Sequence, residues 1–381
     1  MSWSDYSYVD QAARSVQLHI PPYILEVLDN DRLTQAKPRV YLRSGKQATT
    51  KTKLQTYSEL EDIEQQCLQE ARHPIQAEIL QYLHQRSLRE FSPQKQAEAY
   101  NYAQTLPPGV AKQVKDKLAT IFDYTKPIYH PVSGCFRLYS PGLQFLQTSV
   151  REILFPTMVD LDLKSCHAAI LAKVLNLHKV NALLSSGQSI WNYLIDSMDI
   201  ACNSQNYSDI KWTIKQAIYA ICFGAGSRSV TADFKQHLQG FGFSKANASL
   251  YWQRFRKVDL VSELMEGTAA WRNSMIKQDV VGPLGEVYHP KNKKEARSVC
   301  FSYCSAYELL LIYPVYLYAK ENPEELTVLL HSHDGVMVKF PPRGKHKPEK
   351  VFQRVAKVVQ NQADSLGIPT SLESKSSLLS W

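Results

Sequence analysis

Apolar residues fall into two rhythms along this chain, and the change of rhythm divides it. From Ser58 to about Asp123 they recur at helical spacing among Glu, Gln, Ala and Lys, with a break at Pro107-Pro108-Gly109 and a further helix over Val110–Phe122. Ser58-Glu59-Leu60-Glu61 has the form of a capping box. The pattern predicts two or three long helices with polar outer faces. After Lys126 short alternating runs appear: Cys135–Tyr139 behind a turn at Pro131–Gly134, then Met158–Leu163, each read as a strand. From Ser165 the pattern is helical again and stays so to about residue 280. Gly282-Pro283-Leu284-Gly285 marks a turn, and Glu295–Ala319 a long apolar helix. Thr327–Leu330 and Val336–Phe340 read as a β-hairpin with Asp334 at its tip. Pro348–Leu366 reads as an amphipathic helix, and the segment from Pro369 to Trp381 as closing the sheet. Leu18–Leu28 could form a short buried piece.

One helical stretch has a second rhythm laid over the apolar one. Lys211, Lys215, Tyr219 and Phe223 recur every four residues and end at Gly224. On a helix they share a face. Two cations one turn apart suit a polyphosphate, and the rings beyond them suit a sugar and a base. The structural alternative is a solvated Lys pair beside a buried aromatic pair. Like charges at this spacing repel mildly, so helix formation alone does not call for them.

Composition narrows the partner. The chain has 381 residues, 44% hydrophobic, enough for two or three domains with sizeable cores. A formal charge of +8 fits a polyanion, and no apolar run of bilayer-spanning length is evident, so nucleic acid is favoured over membrane. The N-terminus lacks the basic and apolar regions of a secretory signal. Seven scattered cysteines, none in a C-x-x-C pair, read as reduced core residues of a cytoplasmic protein. Lys37–Lys53 is a basic stretch, either a solvated arm or a phosphate-contacting one.

Asp162 lies at a strand-to-helix transition, Asp334 at a hairpin tip, and the Lys–aromatic helix between them in sequence. Two carboxylates on separate strands can hold a pair of divalent cations for phosphoryl transfer. In isolation a His-Asp-Gly turn is an ordinary turn. In order and spacing, however, the three resemble the polymerase domain of the DNA polymerase I family (family A). Asp162-Leu-Lys-Ser-Cys-His-Ala-Ala-Ile-Leu-Ala172 is similar to that family's first motif at the Asp and the closing Leu-Ala. Lys211-x₃-Lys215-x₃-Tyr219-x₃-Phe223-Gly224 keeps every spacing of its second, Arg-x₃-Lys-x₃-Phe/Tyr-x₃-Tyr-Gly. His333-Asp334-Gly335 looks like its third, His-Asp-Glu. Phe136–Ser140 and Leu284–Pro290 are weaker echoes, and the resemblance spans about residues 55–381.

The resemblance implies an α+β right-hand polymerase, its palm built on an antiparallel sheet and its thumb and fingers mainly helical. Residues 1–55 would be a basic arm, 56–125 the thumb, 126–172 and 281–381 the palm, and 173–280 the fingers, with no proofreading exonuclease. It implies two Mg²⁺ (or Mn²⁺) ions on Asp162, Asp334 and the Leu163 carbonyl. Lys211 and Lys215 would meet the triphosphate, Tyr219 the sugar, Phe223 the template-side pocket, and Arg137 the nascent pair, with Gly224 also among the nucleotide-binding residues. His333 would sit beside the primer, and His167 would guard the 2′-position. The partners would be a DNA primer–template and nucleoside triphosphates, with a monomeric enzyme acting in plasmid or phage replication.

The departures from the family pattern are His167 and Gly335, each in place of a Glu, Phe223 in place of a Tyr and Lys211 in place of an Arg. Asp160 competes with Asp162 on the same strand face. A primase or single-subunit RNA polymerase, or a non-catalytic origin-binding initiator, are the alternatives.

Overall fold

The computed structural model describes residues 57–85, 92–122, 129–140, 144, 146–200, 206–341 and 346–374. The basic arm over 1–55, with Leu18–Leu28 and Lys37–Lys53, lies outside the described residues. So do Cys202 and 375–381.

The described residues open on four helices where the apolar pattern predicts two or three: α1 (Tyr57–Gln69), α2 (Pro74–His84), α3 (Pro93–Thr105) and α4 (Pro108–Phe122). Proline explains the extra breaks. It carries no amide N–H and is at home only in the first turn, so each of Pro74, Pro93 and Pro108 starts a helix. Ser92 caps α3 by accepting from the Lys95 amide at 3.3 Å. Helix α1 already includes Tyr57, so Ser58 lies inside the first turn and not at the cap.

A two-residue ladder follows, β1 (His130–Pro131) with β2 (Leu138–Tyr139). It is shorter than the predicted 135–139 strand. Cys135 N donates to Val132 O at 3.4 Å, and Val132 N to Arg137 O at 3.2 Å, which draws 132–137 into the turn. Next come α5 (Thr148–Leu154), β3 (Met158–Leu163), α6 (Cys166–Val174), α7 (His178–Ser185), α8 (Ile190–Ser197), α9 (Tyr207–Cys222), α10 (Ser227–Gly240), α11 (Lys245–Lys257) and α12 (Asp259–Met275). The turn over 282–285 joins β4 (Val280–Val281) to β5 (Val287–Tyr288). The chain then runs through α13 (Lys293–Glu321), β6 (Thr327–Ser332), β7 (Gly335–Lys339), α14 (Pro348–Leu366) and β8 (Leu372–Ser374).

The main sheet has the order β6-β7-β3-β8, and β7 runs antiparallel to both β6 and β3. The closing strand predicted after Pro369 is β8, beside β3. Strand β3 alternates buried and half-buried positions, with Asp160 and Asp162 on the less buried face.

The chain divides into two compact units. One comprises Leu163–Leu311 and Val359–Leu372; the other, the described residues up to Asp162, Ile312–Val358 and Glu373–Ser374. In the second, Ala99, Ala103, Val114, Leu118, Val150 and Leu154 from the helices pack with Met158, Leu330 and Met337 from the sheet. Helix α13 is long and apolar enough by composition to cross a bilayer, unlike the reading from the sequence. Its most apolar window is 67% buried among the protein's own residues.

Candidate active site

The strand unit carries the two carboxylates. Asp162 pairs in register with Gly335 across β3 and β7, and Ser332 pairs with Gly335 across β6 and β7. The hairpin tip is therefore His333-Asp334 alone, and Asp334 is the neighbour of the residue opposite Asp162. His333 holds φ +58°, the left-handed region usually left to Gly at the first position of such turns. Its ring meets Tyr139 edge-on, centroids 4.8 Å apart. Ser165, three residues beyond Asp162, is also left-handed at φ 52° and turns the chain from β3 into α6.

Below the tip, buried His331 is clamped from several directions. Its amide donates to Tyr129 Oη at 2.8 Å, and its carbonyl accepts from Gln144 Nε2 at 2.7 Å and from Tyr129 Oη at 3.3 Å. Tyr316 Oη bonds to its Nδ1 at 3.0 Å. Burial raises the pKa of Tyr129 and Tyr316, so both phenols stay neutral donors. The hairpin stem is thus fixed two residues before the tip. Asp160 lies on the same strand face as Asp162 but is 3.4 Å from Arg151 Nη2. Arg137 is 5% exposed, and Leu163 1%.

The helix unit carries the Lys–aromatic stripe. Helix α9 buries Ile210, Ile214, Ala217, Ile218 and Ile221, the i, i+4, i+7, i+8, i+11 face of an amphipathic helix. Lys211, Lys215 and Tyr219 are left half-buried. The helix ends in a Schellman motif: Ala225 N donates to Ala220 O and Gly224 N to Ile221 O, both at 2.8 Å. Gly224 takes φ +73°, and Arg272 donates to its carbonyl. Gly224 therefore has a conformational reason to be glycine.

The aromatic half of the stripe splits. Tyr219 is half-buried, whereas Phe223 is 1% exposed and wedged between His167 (4.7 Å) and Phe301 (5.2 Å). His167, on α6, also meets Tyr219 edge-on at 5.2 Å, and its Nε2 bonds to the carboxylate of Glu308 on α13. Lys215 Nζ sits beside two rings that meet edge-on at 6.0 Å, 5.6 Å from the centre of Tyr219 and 5.8 Å from that of Trp191. Lys211 Nζ lies over Tyr207 at 5.7 Å.

Trp191, Glu308 and the His331 clamp were not among the residues singled out in the sequence. Glu308 had a signal: it is the lone acid between Glu295 and Glu321 in an apolar helix, and such a residue is buried only when paired. Trp191 and Gln144 carried none.

No group of three or more His, Cys, Asp or Glu side chains placed to hold a metal occurs among the described residues. Asp162, near the end of β3, and Asp334, at the adjoining hairpin tip, are of the ligand type that suits Mg²⁺, which is commonly held by one or two carboxylates plus substrate phosphates and keeps several waters.

No protein-family model and no curated protein matches the chain. Among solved structures it is similar to the POL domain of Pol1 from M. smegmatis, solved in complex with DNA primer-template and dNTP, at 13% identity and a TM-score of 0.50. The match covers 84% of this chain and 65% of that one. In fold, then, the chain resembles a DNA polymerase domain, mixed helix and sheet with small antiparallel sheets.

Proposed function

We propose that the chain is a template-directed DNA polymerase of the family A kind, a right hand in which 56–125 act as thumb, 126–172 and 281–381 as palm, and 173–280 as fingers. The observation that carries this is the placing of Asp162 and Asp334 at the same end of neighbouring strands, in a chain whose fold resembles a polymerase domain. In the reaction the primer O3′ bonds to the α-phosphorus of a deoxynucleoside triphosphate, the bond to the β-phosphate oxygen breaks, and pyrophosphate leaves. Asp162 and Asp334, with the Leu163 carbonyl, would hold two Mg²⁺ ions. When bound, such ions acidify the attacking hydroxyl and stabilise the leaving oxygen. Lys215 and Lys211 neutralise the triphosphate and the departing pyrophosphate. Tyr219 packs on the sugar, Arg137 meets the nascent pair, and His333 shapes the primer side. A monomeric, cytoplasmic enzyme serving a plasmid or phage replicon goes with this reading. The six described cysteines, all buried and unbridged, suit a reducing compartment.

Primer extension on a DNA template tests it. Wild-type protein with Mg²⁺ and deoxynucleotides is expected to extend, and Asp162→Asn and Asp334→Asn to lose that activity while staying folded. Undiminished extension by either variant would overturn the site assignment. Product from ribonucleotides without primer, in the same assay, would favour the primase or RNA-polymerase reading over a primer-dependent DNA polymerase.

A further inference from the structure

We propose that Glu308 is a positioning residue for nucleotide selection: it fixes His167 beneath Tyr219, and the His167–Glu308 pair together sets the preference for deoxyribose over ribose. This rests on the polymerase reading above.

Glu308 is 1% exposed and His167 4%. A carboxylate buried to this extent is costly without a partner, and the bond to His167 Nε2 supplies one. The two come from different helices, 141 residues apart in sequence. Stability alone gives little reason for such a pair, because two apolar side chains of similar volume commonly serve as well or better. What distinguishes its position is the neighbourhood. The imidazole of His167 meets both Tyr219 and Phe223 edge-on, at 5.2 and 4.7 Å. With Glu308 accepting at Nε2, the ring has a fixed plane and a fixed donor. Any movement of His167 is therefore felt by Tyr219, the half-exposed ring assigned to the sugar.

Two departures from the family motifs, His167 and Phe223, also turn out to touch. Phe223 has no hydroxyl to offer His167, and the bond to the imidazole comes from Glu308 on α13. The pocket retains a carboxylate, delivered from another helix through an imidazole.

Two measurements test the assignment. The first is the ratio of kcat/KM for deoxynucleotide over ribonucleotide in primer extension. The second is calorimetric binding of each nucleotide without primer, which needs no turnover. Glu308→Gln and Glu308→Ala are expected to change the sugar preference by about tenfold or more. H167L/E308L, which replaces the pair by packed apolar groups, is expected to fold and to show the same loss. If Glu308→Ala does not fold, the double variant decides. Wild-type preference retained in Glu308→Gln and H167L/E308L would make the pair a core contact and overturn the proposal while leaving the polymerase intact. Wild-type protein that extends no primer, yet binds with a sugar preference that Glu308→Gln removes, would overturn the polymerase reading and uphold this one. Binding with no sugar preference in the wild type overturns the proposal outright.

Discussion

Gly335 leaves no room for a side chain opposite Asp162: a β-carbon built on it would lie 2.8 Å from Asp162 Oδ1 and 2.6 Å from the Leu161 carbonyl oxygen. The second obstacle is backbone within the β3–β7 ladder, where Leu161 pairs with Val336, and cannot rotate away. Glycine here is therefore the residue that lets Asp162 approach the hairpin bearing Asp334, and a Glu at this position would meet a steric obstacle in this sheet.

Gly335→Ala is accordingly expected to destabilise the protein by about 1–3 kcal/mol, the usual range for overpacking. It should also lower primer extension by more than that loss explains, because Asp162 is displaced. Gly335→Glu, with its longer side chain, should be worse still. Denaturant midpoints and extension rates check both. An alanine variant with wild-type stability and rate would show that the two strands separate without penalty.

Asp160 and Asp162 share a strand face but not a situation. The Asp160 carboxylate is engaged with Arg151, and the two side chains are 26% and 16% exposed. Loss of so partial an ion pair costs about 1 kcal/mol or less. Asp160→Asn should leave extension within a few-fold of wild type, whereas Asp162→Asn should reduce it by about a hundredfold or more. Equal losses from the two substitutions would make Asp160 a co-ligand.

Trp191 gives the third prediction. With Lys215 Nζ 5.8 Å from its centre and beside the adjoining ring of Tyr219, the indole contributes about 0.5–2 kcal/mol to placing the ammonium. Trp191→Ala should raise the KM for nucleotide severalfold with little change in kcat, and Trp191→Phe should recover much of the loss. Lys215→Ala should be more damaging than Lys211→Ala, whose ammonium lies over Tyr207 instead. A fall in kcat alone for Trp191→Ala would contradict this.

The parts of the site legible in the sequence are those whose signals are local. Asp162 and Asp334 stand where an alternating apolar run stops, and the hairpin, α9 and α14 could be placed from period and turn residues. The tip was narrower than read, because the ladder continues to Ser332 and Gly335. What could not be read depends on tertiary partners. Nothing near Gln144 or Tyr129 announces that both bond to His331, 187 and 202 residues away. Phe223 fits the period of an exposed stripe but falls at the helix cap, where the chain turns it inward onto Phe301. His167 could be placed by register, but its carboxylate partner could not, since an isolated Glu in a helix does not name what it faces.

Acid sensitivity supplies the last prediction, with one reporter in each unit. Burial, helped by the nearby charge of His84 and opposed by Glu70, lowers the pKa of His130 from 6.5 to about 4. Burial alone does the same to His237, also to about 4. In both cases the folded protein keeps the imidazole neutral at a pH where the unfolded chain has protonated it. The unfolded state then binds more protons, so stability rises with pH through this window. Each histidine's contribution is fully present above about pH 6.5 and is lost as pH falls towards 4, at about 1 kcal/mol per pH unit or somewhat less for these half-buried rings. Denaturant unfolding at several pH values should therefore show an acid limb that becomes shallower in His130→Gln and, separately, in His237→Gln. The slope is the quantity to compare, because His130→Gln also removes the 3.2 Å contact with Cys67 Sγ and shifts stability at every pH. An acid limb as steep in both variants as in the wild type would mean that neither histidine is held neutral by its surroundings.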